Sequence, residues 1–173
     1  MFKQVAIVSL CILALATLAC AQKPSPAAQA QCKFSDGKTI TVDYSSPRMK
    51  GRKIFGDLVP FGEVWRTGAN EATTFVTTAN VNVGGKSVPA GNYTIFTVPN
   101  QSSWTLIINK KTGEWGIPYK YESDELARVE MKASPTASAV ENFTIAFDQA
   151  GGACTLNISW ENTQASVKIA EGK

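Results

Sequence analysis

The sequence predicts an all-β fold, an antiparallel β-sandwich of jelly-roll type, behind an N-terminal export signal. Three observations lead there. About eight short segments, rich in β-branched and aromatic residues, alternate apolar with polar positions at near-regular spacing. Turns containing Gly and Pro separate them, and almost no stretch keeps a helical period. One-sided alternation, finally, suits two sheets packed face to face with wet outer faces. No segment repeats at a fixed period.

The chain opens with one Lys in Met1 to Gln4 and runs apolar from Val5 to Ala19, apart from Ser9, Cys11 and Thr17. A charged start and an apolar middle make a secretory signal peptide, residues 1–21. Ala19-Cys20-Ala21 is a small-x-small cleavage site that leaves a mature chain from Gln22. Leu18-Ala19-Cys20 also partly matches a lipoprotein site, which would anchor the protein to a membrane through a lipidated Cys20. Thr17 stands where such sites usually have Leu, and this favours soluble export to the periplasm or the exterior. No later segment approaches about 18 apolar residues, so no transmembrane segment is expected in the mature chain. Its 152 residues, 173 less 21, suit one domain with a proper core.

Residues 22–31 are small, polar and Pro-containing, and read as a flexible tether; the domain is expected over 32–173. Thr39 to Tyr44 alternates, which puts Ile40, Val42 and Tyr44 on one side of a strand. Ser45-Ser46-Pro47 ends it. In the glycine-rich stretch that follows, Lys53-Ile54-Phe55 reads as a short strand and Pro60 to Arg66 as one helical turn. Thr73 to Thr78 resumes as strand. Val81-Asn82-Val83 and Lys86-Ser87-Val88 flank Gly84-Gly85, a strong hairpin signal. Tyr93 to Val98 and Trp104 to Asn109 form a second hairpin across a short polar turn. Asn109 to Tyr121 is loop with Trp115 and Tyr119 as anchors, and Ser123 to Leu126 offers a very short helix. Four more strands are read at Ala127 to Ala133, Phe143 to Asp148, Cys154 to Trp160 and Ala165 to Ile169, with Glu161-Asn162-Thr163 as the last turn.

Composition narrows the function. Histidine is absent, which removes the usual general base near neutral pH, the common serine and cysteine triads and most zinc sites. No metal or cofactor site is therefore expected. Loss of Lys3 with the signal leaves 16 basic and 14 acidic side chains, a net charge of +2. That is too weak for a nucleic-acid footprint, and no basic stripe is interleaved with aromatics. Two cysteines remain after processing, Cys32 and Cys154. An even pair in an exported protein suggests a disulfide; two reduced core thiols are the alternative.

Everything else is arranged around Pro47 to Thr73, where Gly51, Gly56, Gly62 and Gly68 alternate irregularly with Phe55, Phe61 and Trp65. No helix or strand period survives, so it reads as an ordered loop of shaped backbone. Its best site candidates are Arg52, Trp65, Arg66, Asn70 and Glu71. Arginine offers a planar five-donor fork for carboxylate, phosphate or sugar hydroxyls. Asn adds donor and acceptor, Glu accepts, and Trp can wall a polar pocket. The plainer alternative is a brace in which Trp65 is core and Arg66 pairs with Glu71 or Glu63. The leading expectation is a non-catalytic module for an unknown small molecule or carbohydrate, with no catalytic residues. A carboxylate-dependent hydrolase using Glu71 with another acid is one alternative. A structural or interaction protein of the envelope is the other.

Ser46-Pro47, Lys50-Gly51-Arg52-Lys53-Ile54-Phe55-Gly56, the run Leu58 to Thr73 with Trp65-Arg66-Thr67-Gly68-Ala69-Asn70-Glu71, and Pro89-Ala90-Gly91-Asn92-Tyr93 closely resemble the bacterial secreted proteins grouped as domain of unknown function 2911. The resemblance spans about residues 32–170. It implies an exported bacterial protein, often from Bacteroidetes-like or related lineages. It brings no established catalytic residue, cofactor or substrate.

Overall fold

A computed structural model describes residues 25–172. The expected signal peptide, its cleavage site and Cys20 lie outside the described residues, as do residues 22–24 of the expected tether. Nine strands are described: β1 (Ala27–Lys33), β2 (Thr39–Ser45), β3 (Thr74–Thr77), β4 (Val81–Val83), β5 (Lys86–Val88), β6 (Gly91–Val98), β7 (Ser103–Asn109), β8 (Glu125–Ala150) and β9 (Ala153–Glu171). One 3₁₀ turn, Glu122–Asp124, stands where the very short helix is expected.

The strands pair antiparallel throughout, in the order β1-β2-β3-β6-β7-β8-β9-β4-β5. Short connections make this ribbon double over. β3 and β4 lie five places apart in the order, yet only three residues join Thr77 to Val81, a reach of at most about 14 Å. Two residues likewise carry the chain from β5 at one edge to β6 in the middle. The Cys32–Cys154 disulfide ties β1 to β9 with their Cα atoms 6.3 Å apart. Two layers of one antiparallel sheet therefore face each other as a sandwich.

Alternation fills the space between them. Ile40 and Val42 of β2, Phe75 of β3, Leu106 and Ile108 of β7, and Leu156 and Ile158 of β9 point into one continuous core. The expectation of wet outer faces fails on β6 and β7. Phe96 and Ile107, directly opposite in register, are fully buried on the outer side. They form a second apolar cluster with Ala72, covered by Val64, Tyr119 and Tyr121. Loop residues on this face supply the burial that a second sheet gives elsewhere.

The last four expected strands are two long ones. β8 bends where its ladder to β9 shifts register between Pro135 and Thr144. β9 passes through Glu161 at φ 52° without ending. The turn chemistry of both segments is absorbed as a bulge, which bends a strand and lets it serve both layers. Two further expectations in the central stretch are corrected. Lys53-Ile54-Phe55 makes only an isolated bridge, Phe55 to Val59, because its amides are taken by a carboxylate. Pro60 to Arg66 forms turns rather than a helical turn, since Gly62 and Trp65 donate to the carbonyls of Pro99 and Thr97 instead of to their own segment.

The tether is also corrected: residues 27–31 are strand. Ala30 and Cys32 turn inward, while Gln29 Nε2 donates to Asp43 Oδ1 at 2.7 Å and Gln31 Nε2 to Thr41 Oγ1 at 3.2 Å. Alanine as the only apolar partner of glutamine gives a weak alternation, and cross-strand amides do the rest. Cys32→Ala with Cys154→Ala should lower the unfolding free energy by about 2–5 kcal/mol, because the bridge closes a very long loop. Urea unfolding of the paired variant measures this; an unchanged midpoint would show that the bond adds nothing to a closure already made by packing.

Candidate functional site

The central stretch is seated on the bends of β8 and β9 by its backbone. Ser46 Oγ donates to the Phe143 carbonyl at 2.7 Å, and the Phe143 amide donates to Pro47 O at 2.9 Å. Glu141 accepts twice from the stretch, its carbonyl from the Met49 amide at 2.8 Å and its Oε1 from the Lys50 amide at 2.9 Å, and its carbonyl also accepts from Trp160 Nε1 at 3.2 Å. The Glu161 carboxylate takes the amides of Ile54 and Phe55 at 3.2 and 3.1 Å. Sequence reasoning missed both acids. Nothing in their local spacing marks them, because their partners lie more than 90 residues away.

Trp65 closes the stretch. Its amide donates to Thr97 O at 2.8 Å, and the Thr97 amide donates back to Trp65 O at 2.9 Å. This extends the edge of β6 beyond the end of β3. Its ring stacks on Trp160, with centroids 6.0 Å apart and planes 16° from parallel. Phe55, Trp104 and Phe143 meet it edge-on, and its Nε1 donates to Gly68 O at 3.1 Å. The half-buried Trp65 is thus at once the margin of the core and a wall of what lies outside it.

Outside lies a cleft of about 560 Å³ lined by Lys50, Arg52, Leu58, Val59, Trp65, Arg66, Ile117 and Trp160, among others. Three of the five sequence candidates, Arg52, Trp65 and Arg66, meet here. Lys50 joins them and was not a candidate. Arg52 donates from Nε to Met49 O at 3.0 Å and from Nη2 to Arg48 O at 2.6 Å, so its fork is held by main chain. Arg66 lies over the Trp115 ring, 5.0 Å from its centroid. Its Nη1 is buried and, among the described residues, has no hydrogen-bond partner. Burial pushes the Arg66 guanidinium's pKa down, and the charge of Glu71 partly offsets this. Among the described residues Lys50, Arg52 and Arg66 form no ion pair.

The other two candidates lie apart from that cleft. Asn70, at φ 59° and almost fully buried, donates from Nδ2 to Ser25 O at 3.0 Å and to Ser45 Oγ at 2.9 Å. It pins the start of β1's approach to the end of β2. Exposed Glu71 lines a neighbouring cleft of about 490 Å³, together with Asp43, Tyr44 and Ser45.

Residues 110–121 form the far wall. Tyr119 packs edge-on against Phe96, with centroids 4.8 Å apart. Its hydroxyl donates to Glu125 Oε1 at 2.6 Å and accepts from Asn109 Nδ2 at 3.2 Å. Arg128 grips the same carboxylate with two bonds of 2.7 Å. Arg128 first, then Tyr119, holds the Glu125 carboxyl below its ordinary value, against the opposing effect of burial. Burial and the bond to Glu125 push the Tyr119 hydroxyl up. Gly116, at φ 92°, lets this wall close on Arg66: a Cβ there would lie 2.8 Å from the Ala72 Cβ and 3.1 Å from the Arg66 Cβ.

Comparison with known proteins gives one match. The model of the family described as "Protein of unknown function (DUF2911)" matches residues 25–169. No curated protein and no solved structure matches.

Asn70→Ala should cost about 1–3 kcal/mol, since it removes one buried and one part-buried bond and places a Cβ-bearing residue without a polar side chain at positive φ. Asn70→Gly restores the backbone freedom but not the bonds, so thermal unfolding of the two variants separates the contributions. Equal stability of all three proteins would refute the pinning role. The Glu125 network adds stability that is complete above that group's ordinary value of 4.5 and is lost as pH falls below it, because the folded value is the lower one. Unfolding temperature should therefore fall less steeply from pH 5 to pH 3 in Glu125→Gln than in the parent; parallel profiles would contradict it.

Proposed function

The chain belongs to the protein-of-unknown-function 2911 family, and from the geometry of its cleft we propose that it is an exported, non-catalytic binding module for a small molecule or carbohydrate. One observation carries the reading: Arg52, Trp65 and Arg66 converge from a loop without regular structure onto the wall of one cleft of about 560 Å³. Clefts of that size, with apolar walls and a few convergent polar groups, are the usual form of a small-molecule site. Export is supported by the Cys32–Cys154 disulfide, since such bonds persist in oxidising compartments. Among the described residues no helix is long and apolar enough to cross a membrane. An envelope partner is compatible with both.

A carboxylate-dependent hydrolase has one observation in its favour, the presence of Asp43 with Glu71 on the wall of the neighbouring cleft. Asp43 already accepts from Gln29 there and Glu71 is itself engaged, which suits a structural carboxylate better than a free acid–base pair.

The test is a screen of neutral and acidic saccharides and small organic acids by two-dimensional amide NMR. Binding compounds should shift the amides of residues 50–69 and 115–118 and leave β4 and β5 unmoved. An empty screen, together with Arg66→Ala and Glu71→Ala proteins that simply unfold, would mean that the stretch is a brace.

A further inference from the structure

The cleft beside Arg66 does not end at Ile117. A second cleft, of about 410 Å³, shares Leu58, Val59, Trp65 and Ile117 with it and continues past Pro60, Val64, Pro118 and Tyr119. Because they share these four wall residues, we take the two together as one groove, and its halves differ in chemistry. Lys50, Arg52 and Arg66 line the first half, which among the described residues has no carboxylate on its wall. Apolar side chains line most of the second, where Glu63 is the one charged residue. Among the described residues the four exposed large hydrophobics, Leu58, Phe61, Trp115 and Ile117, all sit in the two loops that build the groove. Exposed apolar surface gathered in one place marks contact with a ligand or partner.

Resting on the binding-module reading, we propose that the groove takes an amphiphile, whose single anionic head is held by Arg66, Lys50 and Arg52 and whose apolar body lies past Trp65 toward Ile117 and Pro118. Three observations argue for it. A buried guanidinium N–H without an acceptor is costly, and the Arg66 Nη1 has none, so an oxyanion in the basic half supplies the missing bond once Arg66 turns to it. Among the described residues the two further cations beside it form no ion pair, so the half favours negative charge even with Glu71 acting on Arg66 from the neighbouring cleft. The third concerns Trp65, whose half-buried ring, packed against Phe55, Trp104, Phe143 and Trp160, lines both clefts and so offers apolar contact area at their junction.

Isothermal titration of the purified protein with dodecanoate, acetate and the uncharged dodecyl maltoside, all below micelle-forming concentrations, tests the proposal. Dodecanoate should bind at one site, at least about a hundredfold tighter than acetate, since the chain buries many methylenes. It should also bind at least about tenfold tighter than the maltoside, the worth of one charge-assisted contact. Arg66→Gln should weaken dodecanoate at least about tenfold. Lys50 and Arg52 are exposed, so Lys50→Gln with Arg52→Gln keeps the fold and should weaken it severalfold.

Equal affinity for the maltoside overturns the anionic head, and equal affinity for acetate overturns the apolar body. No effect in the Lys50→Gln, Arg52→Gln protein overturns the placement. Co-sedimentation with phosphatidylglycerol vesicles that survives saturating dodecanoate and Arg66→Gln would mean that the exposed loops dock on a bilayer, which also overturns it. If a saccharide shifts the groove amides and dodecanoate does not, this proposal falls and the binding module stands. If neither does, both fall.

Discussion

Trp65 is the residue on which the arrangement turns. Its backbone completes the hydrogen bonding of β6 beside Thr97, and its ring completes an aromatic cluster shared by the bends of β8 and β9. Backbone pairing fixes where the loop lies and ring packing fixes how far it stands off the sheet. A loop with one attachment could swing; one held by both has a single position. That position leaves the groove open between the loop and residues 110–121, and those residues are set in turn by Phe96, Tyr119 and Glu125.

Charge follows the same division of labour. Glu141 and Glu161 spend their carboxylates on amides of the loop rather than on its basic side chains. An acid that satisfies backbone donors organises a loop without neutralising it. Glu125 instead satisfies Arg128 and Tyr119 on the opposite wall. The result is a groove with one basic half in a protein of nearly balanced charge, produced by where the acids are engaged rather than by an excess of lysine and arginine.

Much of the fold was legible from residue pattern. The alternation of β2, the Gly84-Gly85 hairpin and the β6–β7 pairing follow from local chemistry, and the Cys32–Cys154 bridge follows from the cysteine count together with the expected export. β1 was not legible, because Ala30 and Cys32 are its only buried apolar side chains and its register rests on amide contacts to β2. Nor was the continuity of β8 and β9, since a bulge and a turn have the same composition. At the site, the residue types drew attention to Arg52, Trp65 and Arg66, which share a wall. They also drew attention to Asn70 and Glu71, which do not share it. Positive φ at Asn70 is a conformational demand that sequence states only as an asparagine among glycines. Lys50, Glu141 and Glu161 were invisible as a group because their relation exists only across the bends.

The stacked pair of Trp65 and Trp160 has an optical consequence. Two indoles held nearly parallel at 6.0 Å, in a chiral frame with Trp104 beside them, couple their electronic transitions. Indoles held rigidly in such a frame contribute signed bands to near-ultraviolet circular dichroism. The wall of the groove therefore carries a native chromophore whose sign and intensity depend on the angle between two rings. An occupant that tilts Trp65 changes that angle, and with it a signal that needs no label.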